Sequence, residues 1–236
     1  MSTTAIILAG GIGERFNAPV PKQFLEIGGR TLLEICLQRF QDHKGIDAII
    51  LVCPKAQLTL AEKIVASGAG AKVLKVLAGG RTRQESSAIG VAAAPSGMEN
   101  VLIHDAARAL VPAGVISRVL EALGSARAVM PVLPAGDTIV RIDDAGVVTA
   151  VLDREKLRRV QTPQGFRLET IRRAHDMATS EGIADASDDC SLVLRYKLAP
   201  VATVDGDMIN IKITYPEDLV MAEALMKGQE HFKGKR

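Results

Sequence analysis

The chain has 236 residues, 47% of them hydrophobic but only 3% aromatic and none of them Trp, so its core is built from aliphatic side chains. A charged fraction of 24% is ordinary for a globular protein and excludes a disordered or low-complexity polypeptide. With 29 Lys plus Arg against 27 Asp plus Glu the formal net charge is +2, which excludes a broad basic field for nucleic acid and makes any attraction for phosphate local.

Residues 5–8 read as an apolar strand running into a glycine-rich turn, and residues 31–40 carry apolar side chains at helical spacing, a first strand–helix unit. The alternation continues with strands at 46–52, 71–77, 100–104 and 128–132 and helices at 57–66, 82–94 and 113–123. Such an order predicts a Rossmann-like, doubly wound and mostly parallel sheet with right-handed crossovers. The Val, Ile, Leu and Ala runs suit strands covered on both faces. At Asp137 the rhythm changes: residues 138–142 and 147–152 flank Asp143-Asp144-Ala145-Gly146, the chemistry of a hairpin turn. An antiparallel arm is therefore expected over 137–154, exposing Ile139, Val140, Ile142, Val147, Val148, Val151 and Leu152. A lone ribbon is barely stable in water, so the arm is expected to be the core of a homodimer contact, the alternative being that it folds back on its own domain. Residues 167–180 then read as a helix, 201–204 and 209–213 as short strands, and 216–226 as a helix opened by Pro216, with a frayed polar tail after Lys227. With no repeat or linker in view, residues 1–236 are expected to form one domain carrying the arm.

The three cysteines, Cys36, Cys53 and Cys190, are odd in number and far apart, so neither a disulfide framework nor a zinc pattern is present and a reducing cytoplasm is expected. The first apolar run is too short for a signal peptide, and no Arg- and Ser-rich extension suggests a plastid precursor. The longest internal uncharged stretch, 13 residues between Glu85 and Glu99, is too short and too polar for a bilayer, so no membrane partner is expected.

Four segments carry residues suited to chemistry. After the first strand comes Ala9-Gly10-Gly11-Ile12-Gly13-Glu14-Arg15, but Phe16 stands where a dinucleotide fingerprint needs its third glycine, and no Walker A pattern exists. What is left is either a plain glycine turn or a loop whose bare amides approach a polyphosphate, with Arg15 and the Lys22 of Pro21-Lys22-Gln23 adding charge. His104-Asp105-Ala106-Ala107-Arg108 sits where a strand leaves the sheet's C-terminal edge, the ligand-binding edge of open α/β sheets. Asp105 there either caps a turn or holds Mg²⁺ together with substrate phosphates. His104, with no second His at ligand spacing, reads as structural. Gly79-Gly80-Arg81-Thr82-Arg83-Gln84-Glu85-Ser86 offers amides and a hydroxyl for a base edge, and equally a Thr82/Glu85 capped helix start. Last, Lys212 interrupts the apolar Asn210-Ile211-Lys212-Ile213, where the bland reading is a side chain that snorkels to water.

Taken in this order, and with Asp137-Thr138, Gln161-Thr162-Pro163-Gln164 and Pro216-Glu217-Asp218-Leu219, these segments resemble the 2-C-methyl-D-erythritol 4-phosphate cytidylyltransferase family from residue 5 to residue 226. The resemblance implies a fold of the nucleotide-diphospho-sugar transferase type and transfer of a cytidylyl group from CTP to a polyol phosphate, with Mg²⁺ as cofactor. It implies a CTP site at Ala9, Gly10, Gly11, Gly13, Gly80, Ser86, Asp105 and Ala106, with Asp105 at the metal and Arg15, Lys22 and Lys212 around the phosphates as the catalytic cations. It further implies a polyol-phosphate pocket of Arg108, Asp137, Thr138, Arg154 and Thr162, completed by a neighbouring subunit. The chain departs from the family in having Ala109 for Pro, Gly10 for Ala, and Arg81 where some relatives are acidic. A ribitol 5-phosphate cytidylyltransferase is the nearest alternative. A non-catalytic nucleotide-binding module is disfavoured by the joint presence of Arg15, Lys22, Asp105 and Lys212.

Overall fold

The computed structural model describes residues 1–10 and 21–233, the side chains of Ala69 and residues 229–233 excepted. In chain order its elements are β1 (Thr3–Leu8), β2 (Glu26–Ile27), β3 (Arg30–Thr31), α1 (Leu32–Gln41), β4 (Ala48–Cys53), α2 (Leu58–Ile64), β5 (Val73–Ala78) and α3 (Arg83–Ala92). There follow β6 (Asn100–Asp105), α4 (Ala113–Ala122), β7 (Ala128–Pro134), β8 (Val140–Ile142), β9 (Val148–Val151), β10 (Arg158–Val160) and β11 (Gln164–Arg167). The chain closes with α5 (Leu168–Ser180), α6 (Asp189–Arg195), β12 (Val201–Asp205) and α7 (Pro216–Lys233).

β1 pairs in parallel with β6 on one side and β4 on the other, and β5 lies parallel outside β4. Beyond β6, the antiparallel β11 and β10 run end to end along one edge of β7, while β12 follows β7's other edge in parallel. The sheet is therefore Rossmann-like and mostly parallel, as the alternation predicted. From β1 the chain builds outward through β4 and β5, then α3 carries it back to β6 on β1's other flank. That reversal opens a crevice at the C-terminal ends of β1 and β6.

Strand side chains alternate between two cores. Ile7, Ile49, Leu51 and Leu102 pack with α1, α2, α4 and α7 on one face; Ile6, Leu8, Ile50, Val52 and Ile103 pack with α3, α5 and α6 on the other. Helix starts follow local chemistry: Thr31 Oγ1 accepts from Glu34 N (3.1 Å) while Glu34 Oε2 accepts from Thr31 N (2.6 Å), a reciprocal cap for α1. Among the described residues, no helix is long and apolar enough to cross a membrane. Cys36, Cys53 and Cys190 are buried and free.

Three expectations are corrected. Residues 209–213 are not a strand: side chains replace a ladder there, with Asp207 Oδ1 accepting from Ile209 N (2.9 Å) and Gln161 Oε1 from Asp207 N (3.0 Å). The apolar alternation was genuine burial, since Ile213 lies in the core and Ile209 and Ile211 pack on it, but burial alone does not make a strand. The last helix runs to Lys233 instead of fraying after Lys227, in a stretch with one Gly and no Pro to stop it. The helix expected over 57–66 yields at Ile64 to a wider turn at 65–69, where Gly68 takes φ +116°.

The arm forms as a separate two-stranded sheet, β8 against β9, closed by Asp143 Oδ1 accepting from Ala145 N (3.0 Å) and Val147 N (2.9 Å) with Gly146 at φ +79°. Val140, Ile142, Val147, Val148 and Val151 are exposed, whereas Ile139 and Leu152 at its root are half-buried. The arm does not fold back over its own core.

α3 crosses β1 so closely that a Cβ on Gly90 would overlap Ile6 and stand 3.3 Å from Val52 Cγ2. Gly90→Ala should therefore destabilise the protein by about 1–2 kcal/mol, the overpacking outweighing the gain in helix propensity, as read from urea midpoints at constant m. An Ala variant as stable as the parent would mean that α3 has room to move.

Candidate functional site

The C-terminal ends of β1, β4, β5 and β6 frame the crevice. Leaving β1, Ala9 N donates to Val52 O (2.8 Å), and leaving β6, Ala106 N donates to Leu8 O (2.9 Å). Both alanines are buried, and neither is among the residues that line the space at these strand ends. That space is a cavity of about 500 Å³ that Gly10, Lys22, Gly80, Ser86, Asp105 and Lys212 line. These six of the expected site residues, scattered over two hundred positions of sequence, are brought together. Gly11, Gly13 and Arg15 lie outside the described residues.

Lys22 is presented by what flanks it. Pro21 holds φ −57° at the start of a single turn, and the buried Gln23 and Phe24 anchor it, Gln23 bonding Gln57. The Gly79-Gly80 turn winds tightly on the first turn of α3. A Cβ on Gly79 would come within 2.7 Å of Ser86 Oγ, and one on Gly80 would overlap Glu85, so only glycine fits either place. Ser86 Oγ donates to Thr82 O (2.9 Å) and accepts from Gly80 N (3.2 Å), tying turn to helix. Thr82 does cap α3, through Glu85 N (3.1 Å). Glu85 reaches one residue further back than expected, its Oε2 accepting from Arg81 N (2.6 Å). The helix cap and the tight glycine turn therefore coexist.

Asp105 occupies the centre. Its Oδ1 accepts from Arg83 Nε (3.0 Å) and its Oδ2 from Lys212 Nζ (2.9 Å). Burial alone would raise this carboxyl's pKa, but Arg83 and Lys212 outweigh burial and hold it well below the usual carboxylate range. Lys212 does not simply snorkel to water. Asn210, fully buried, donates to Thr162 O (2.8 Å), and Ile213 N donates to Ala107 O (2.9 Å), so both flanks of Lys212 are pinned and its ammonium is aimed at Asp105.

His104 is structural, as read. Its Nε2 stands 3.2 Å from Arg108 O, which can only accept, so Nδ1 takes the Thr162 hydroxyl proton (3.0 Å) and Thr162 Oγ1 in turn accepts from Asp105 N (3.2 Å). That chain requires a neutral imidazole, and burial lowers the His104 pKa to about 4.

The expected polyol-phosphate residues divide. Arg108 donates to Asn210 O (2.8 Å) and Val160 O (3.1 Å), with its buried Nε left without a partner, and Thr162 is engaged with His104 and Asp105. Asp137, Thr138 and Arg154 stand exposed at the root of the arm, outside the lining of this cavity. A second depression, of about 570 Å³, lies at the opposite, N-terminal edge of the parallel strands between Arg127, Arg167 and Arg172. It holds none of the expected site residues, and Arg167 is already paired with Glu99 (3.6 Å) and Asn100 (3.1 Å).

Sequence reasoning missed Arg83 and Asp189 as parts of the site. Arg83 Nη1 lies 2.8 Å from the buried Asp189. The only signal was an Arg at the first turn of a helix beside the glycine turn, and a second Asp following the Asp188 that caps α6.

A Rossmann-like sheet with a glycine turn, a buried ionised carboxylate and basic side chains gathered at its switch point defines a nucleotidyltransferase fold. The pattern described as 2-C-methyl-D-erythritol 4-phosphate cytidylyltransferase matches residues 3–228. The protein of that name from Thermobifida fusca is 43% identical over 230 residues, covering 94% of this chain and 92% of that one. A solved 4-diphosphocytidyl-2C-methyl-D-erythritol synthase from Anaerococcus prevotii superposes with a TM-score of 0.84 at 31% identity, covering 96% of each chain. A bifunctional ribulose 5-phosphate reductase/CDP-ribitol pyrophosphorylase from Haemophilus influenzae is 39% identical over 96% of this chain, which spans about half (48%) of that protein's length. The chain belongs to the 2-C-methyl-D-erythritol 4-phosphate cytidylyltransferase family.

Because His104 takes up its proton more readily unfolded (ordinary value 6.5) than folded (about 4), the unfolded state binds more protons between those limits. Its contribution to stability is full above pH 6.5 and is lost as pH falls to 4, by about 3 kcal/mol. Urea unfolding of the metal-free protein from pH 7 to 4 should show this slope, and His104→Gln should flatten it whatever its effect at pH 7. An equal slope in both proteins would mean that His104 is charged when folded.

Proposed function

We propose that the chain, as a single nucleotidyltransferase domain in the cytoplasm, joins CTP to 2-C-methyl-D-erythritol 4-phosphate. The products are the CDP-linked polyol and pyrophosphate, a step of isoprenoid precursor synthesis. The observation that carries this reading is one cavity beside the Gly79-Gly80 turn that Lys22, Arg83, Asp105 and Lys212 line together, with Arg83 and Lys212 both bonded to Asp105. Family membership supports it.

An oxygen of the substrate's phosphate attacks the α-phosphorus of CTP in line; the new P–O bond forms as the bond to pyrophosphate breaks and the electron pair leaves with it. A phosphate monoester is already ionised near neutral pH, so no general base is required, which agrees with a His104 committed to hydrogen bonds. The difficulty is bringing two polyanions together, at about 4 kcal/mol per unit charge pair at 4 Å and an effective dielectric of 20. Arg15, Lys22 and Lys212 are assigned to offset that repulsion and the charge that develops at phosphorus. Gly80 and Ser86 are assigned to the base. Arg108, Asp137, Thr138 and Arg154 are assigned to the polyol phosphate, with Thr162 positioning Asp105.

Among the described residues no cluster of three or more His, Cys, Asp or Glu could cage a metal ion, and Asp105 is the one carboxylate among the described residues lining the cavity. A single carboxylate fits Mg²⁺, which takes one or two carboxylates and completes its shell with water and substrate phosphates. When bound, Mg²⁺ would neutralise phosphate charge; Asp105 would hold it.

The five exposed aliphatics of the arm support a homodimer contact that also delivers substrate-pocket residues to the neighbouring subunit. Full burial of one such side chain is worth about 1.5 kcal/mol or more. Sedimentation should find a dimer at micromolar concentration and monomers for the Ile142→Glu/Val151→Glu variant. A parent protein that is monomeric and fully active would overturn both the dimer and the shared pocket.

A second reading, ribitol 5-phosphate as acceptor, rests on the 39% identical Haemophilus relative. Pyrophosphate release across four nucleoside triphosphates and both polyol phosphates decides between them. Release with CTP and methylerythritol phosphate supports the first reading, preference for ribitol phosphate the second, and release with neither refutes both. In the productive pair, Lys212→Ala should lose about a hundredfold in kcat, some 2.7 kcal/mol. Turnover within a few-fold of the parent would remove Lys212 from the transition state.

A further inference from the structure

The two cations on Asp105 are held very differently. Lys212 meets Oδ2 from a side chain that is 46% exposed. Arg83 meets Oδ1 through Nε, and its far end is fixed inside the protein by Asp189, 2.8 Å away and only 1% exposed. Asp189 is itself mounted rigidly. Its Oδ1 takes the Ser87 hydroxyl and faces His175 Nε2 at 3.3 Å, and its backbone N and that of Cys190 donate to Gln164 Oε1 (3.1 and 3.0 Å). Ser87, His175, Gln164 and Asp189 are all buried, and none lines the cavity.

A half-exposed ion pair separates easily, because water screens it and rehydrates both partners. A buried carboxylate–guanidinium pair does not, because separation strands two charges. Both oxygens of Asp105 are occupied, so a divalent cation reaches it only if one of the two partners lets go. We propose that Asp189 is a positioning residue of the nucleotide site: it fixes Arg83 on Oδ1, so that Lys212 is the cation that yields Oδ2 to an arriving metal–nucleotide and turns to the phosphates. This rests on the reading of the cavity as a site for CTP and a divalent cation. Without Asp189, Arg83 keeps Asp105 as its only carboxylate partner among the described residues. Its Nη1 is released, its Nη2 is already buried without a partner, and the guanidinium can close on Asp105 through two donors and compete with the metal.

The test is calorimetric titration of CTP, with no polyol phosphate present and hence no turnover, in EDTA and over a series of Mg²⁺ concentrations. Asp189→Asn should raise the half-saturating Mg²⁺ about tenfold or more, the usual cost of losing such a supporting partner, while binding in EDTA is not weakened. Lys212→Gln should lower the half-saturating Mg²⁺, because Oδ2 is then open. Ser87→Ala, which keeps every charge and only loosens Asp189, should move it in the same direction as Asp189→Asn, by less. A lower melting temperature for Asp189→Asn with the parent's Mg²⁺ dependence would make its role merely structural and overturn the proposal; so would a raised Mg²⁺ requirement for Lys212→Gln. If Asp189→Asn does not fold, Ser87→Ala and Lys212→Gln decide, and parental Mg²⁺ dependence in both refutes the exchange. A parent protein that binds no CTP at any Mg²⁺ concentration would instead overturn the reading of the site, and this proposal with it, which keeps the two failures apart.

Discussion

Asp105 is a buried carboxylate that stays ionised, and that constraint organises the crevice around it. Desolvation opposes its charge, so two cations must stand against it, and they come from opposite parts of the chain: Arg83 from the start of α3 and Lys212 from the irregular segment after β12. Its amide adds a third tie, through Thr162, to the break between β10 and β11. One residue thus holds four segments in register. Arg83 then passes the constraint on to Asp189, another buried carboxylate whose pKa burial would raise and Arg83 draws down, and so to α6.

The topology explains why that charge is placed here. The chain reverses its direction of sheet building between β1 and β6, and the backbones diverging from those strands leave room for a ligand at the C-terminal ends. β11 and β10 pair antiparallel beyond β6, and the interruption between them lets Gln161 and Thr162 turn inward. Gln161 accepts from Asp207 N and Asn210 Nδ2, Thr162 meets His104, and the segment bearing Lys212 is thereby moored. The neutral imidazole serves as a spacer between backbone and hydroxyl, a role suited to a reaction whose nucleophile needs no base.

The arm stands apart from this economy of buried charge. It has its own two-stranded sheet, its turn is closed by a single Asp side chain, and its aliphatic face meets water in the isolated chain. A ribbon of this size gains too little from internal pairing to justify that exposure. The polar residues at its root, Asp137, Thr138 and Arg154, are exposed and stand beyond the cavity's own lining.

By itself the sequence determined what depends on neighbours along the chain. Alternating apolar periods defined the strands and helices of the parallel layer, Thr31 and Thr82 marked helix starts, Asp143 to Gly146 marked the arm, and the Gly79-Gly80 turn with Lys22, Asp105 and Lys212 marked the cavity. Tertiary structure alone decided what depends on partners far away. β10 and β11 are too short to show a period, and residues 209–213 alternate like a strand yet find side chains instead of a ladder. The grip of Asp189 on Arg83 joins positions 106 apart in sequence. Local pattern reports which side chains avoid water, but the partner of a buried charge is set by where the fold brings opposite charge within about 3 Å, and no periodicity encodes that distance.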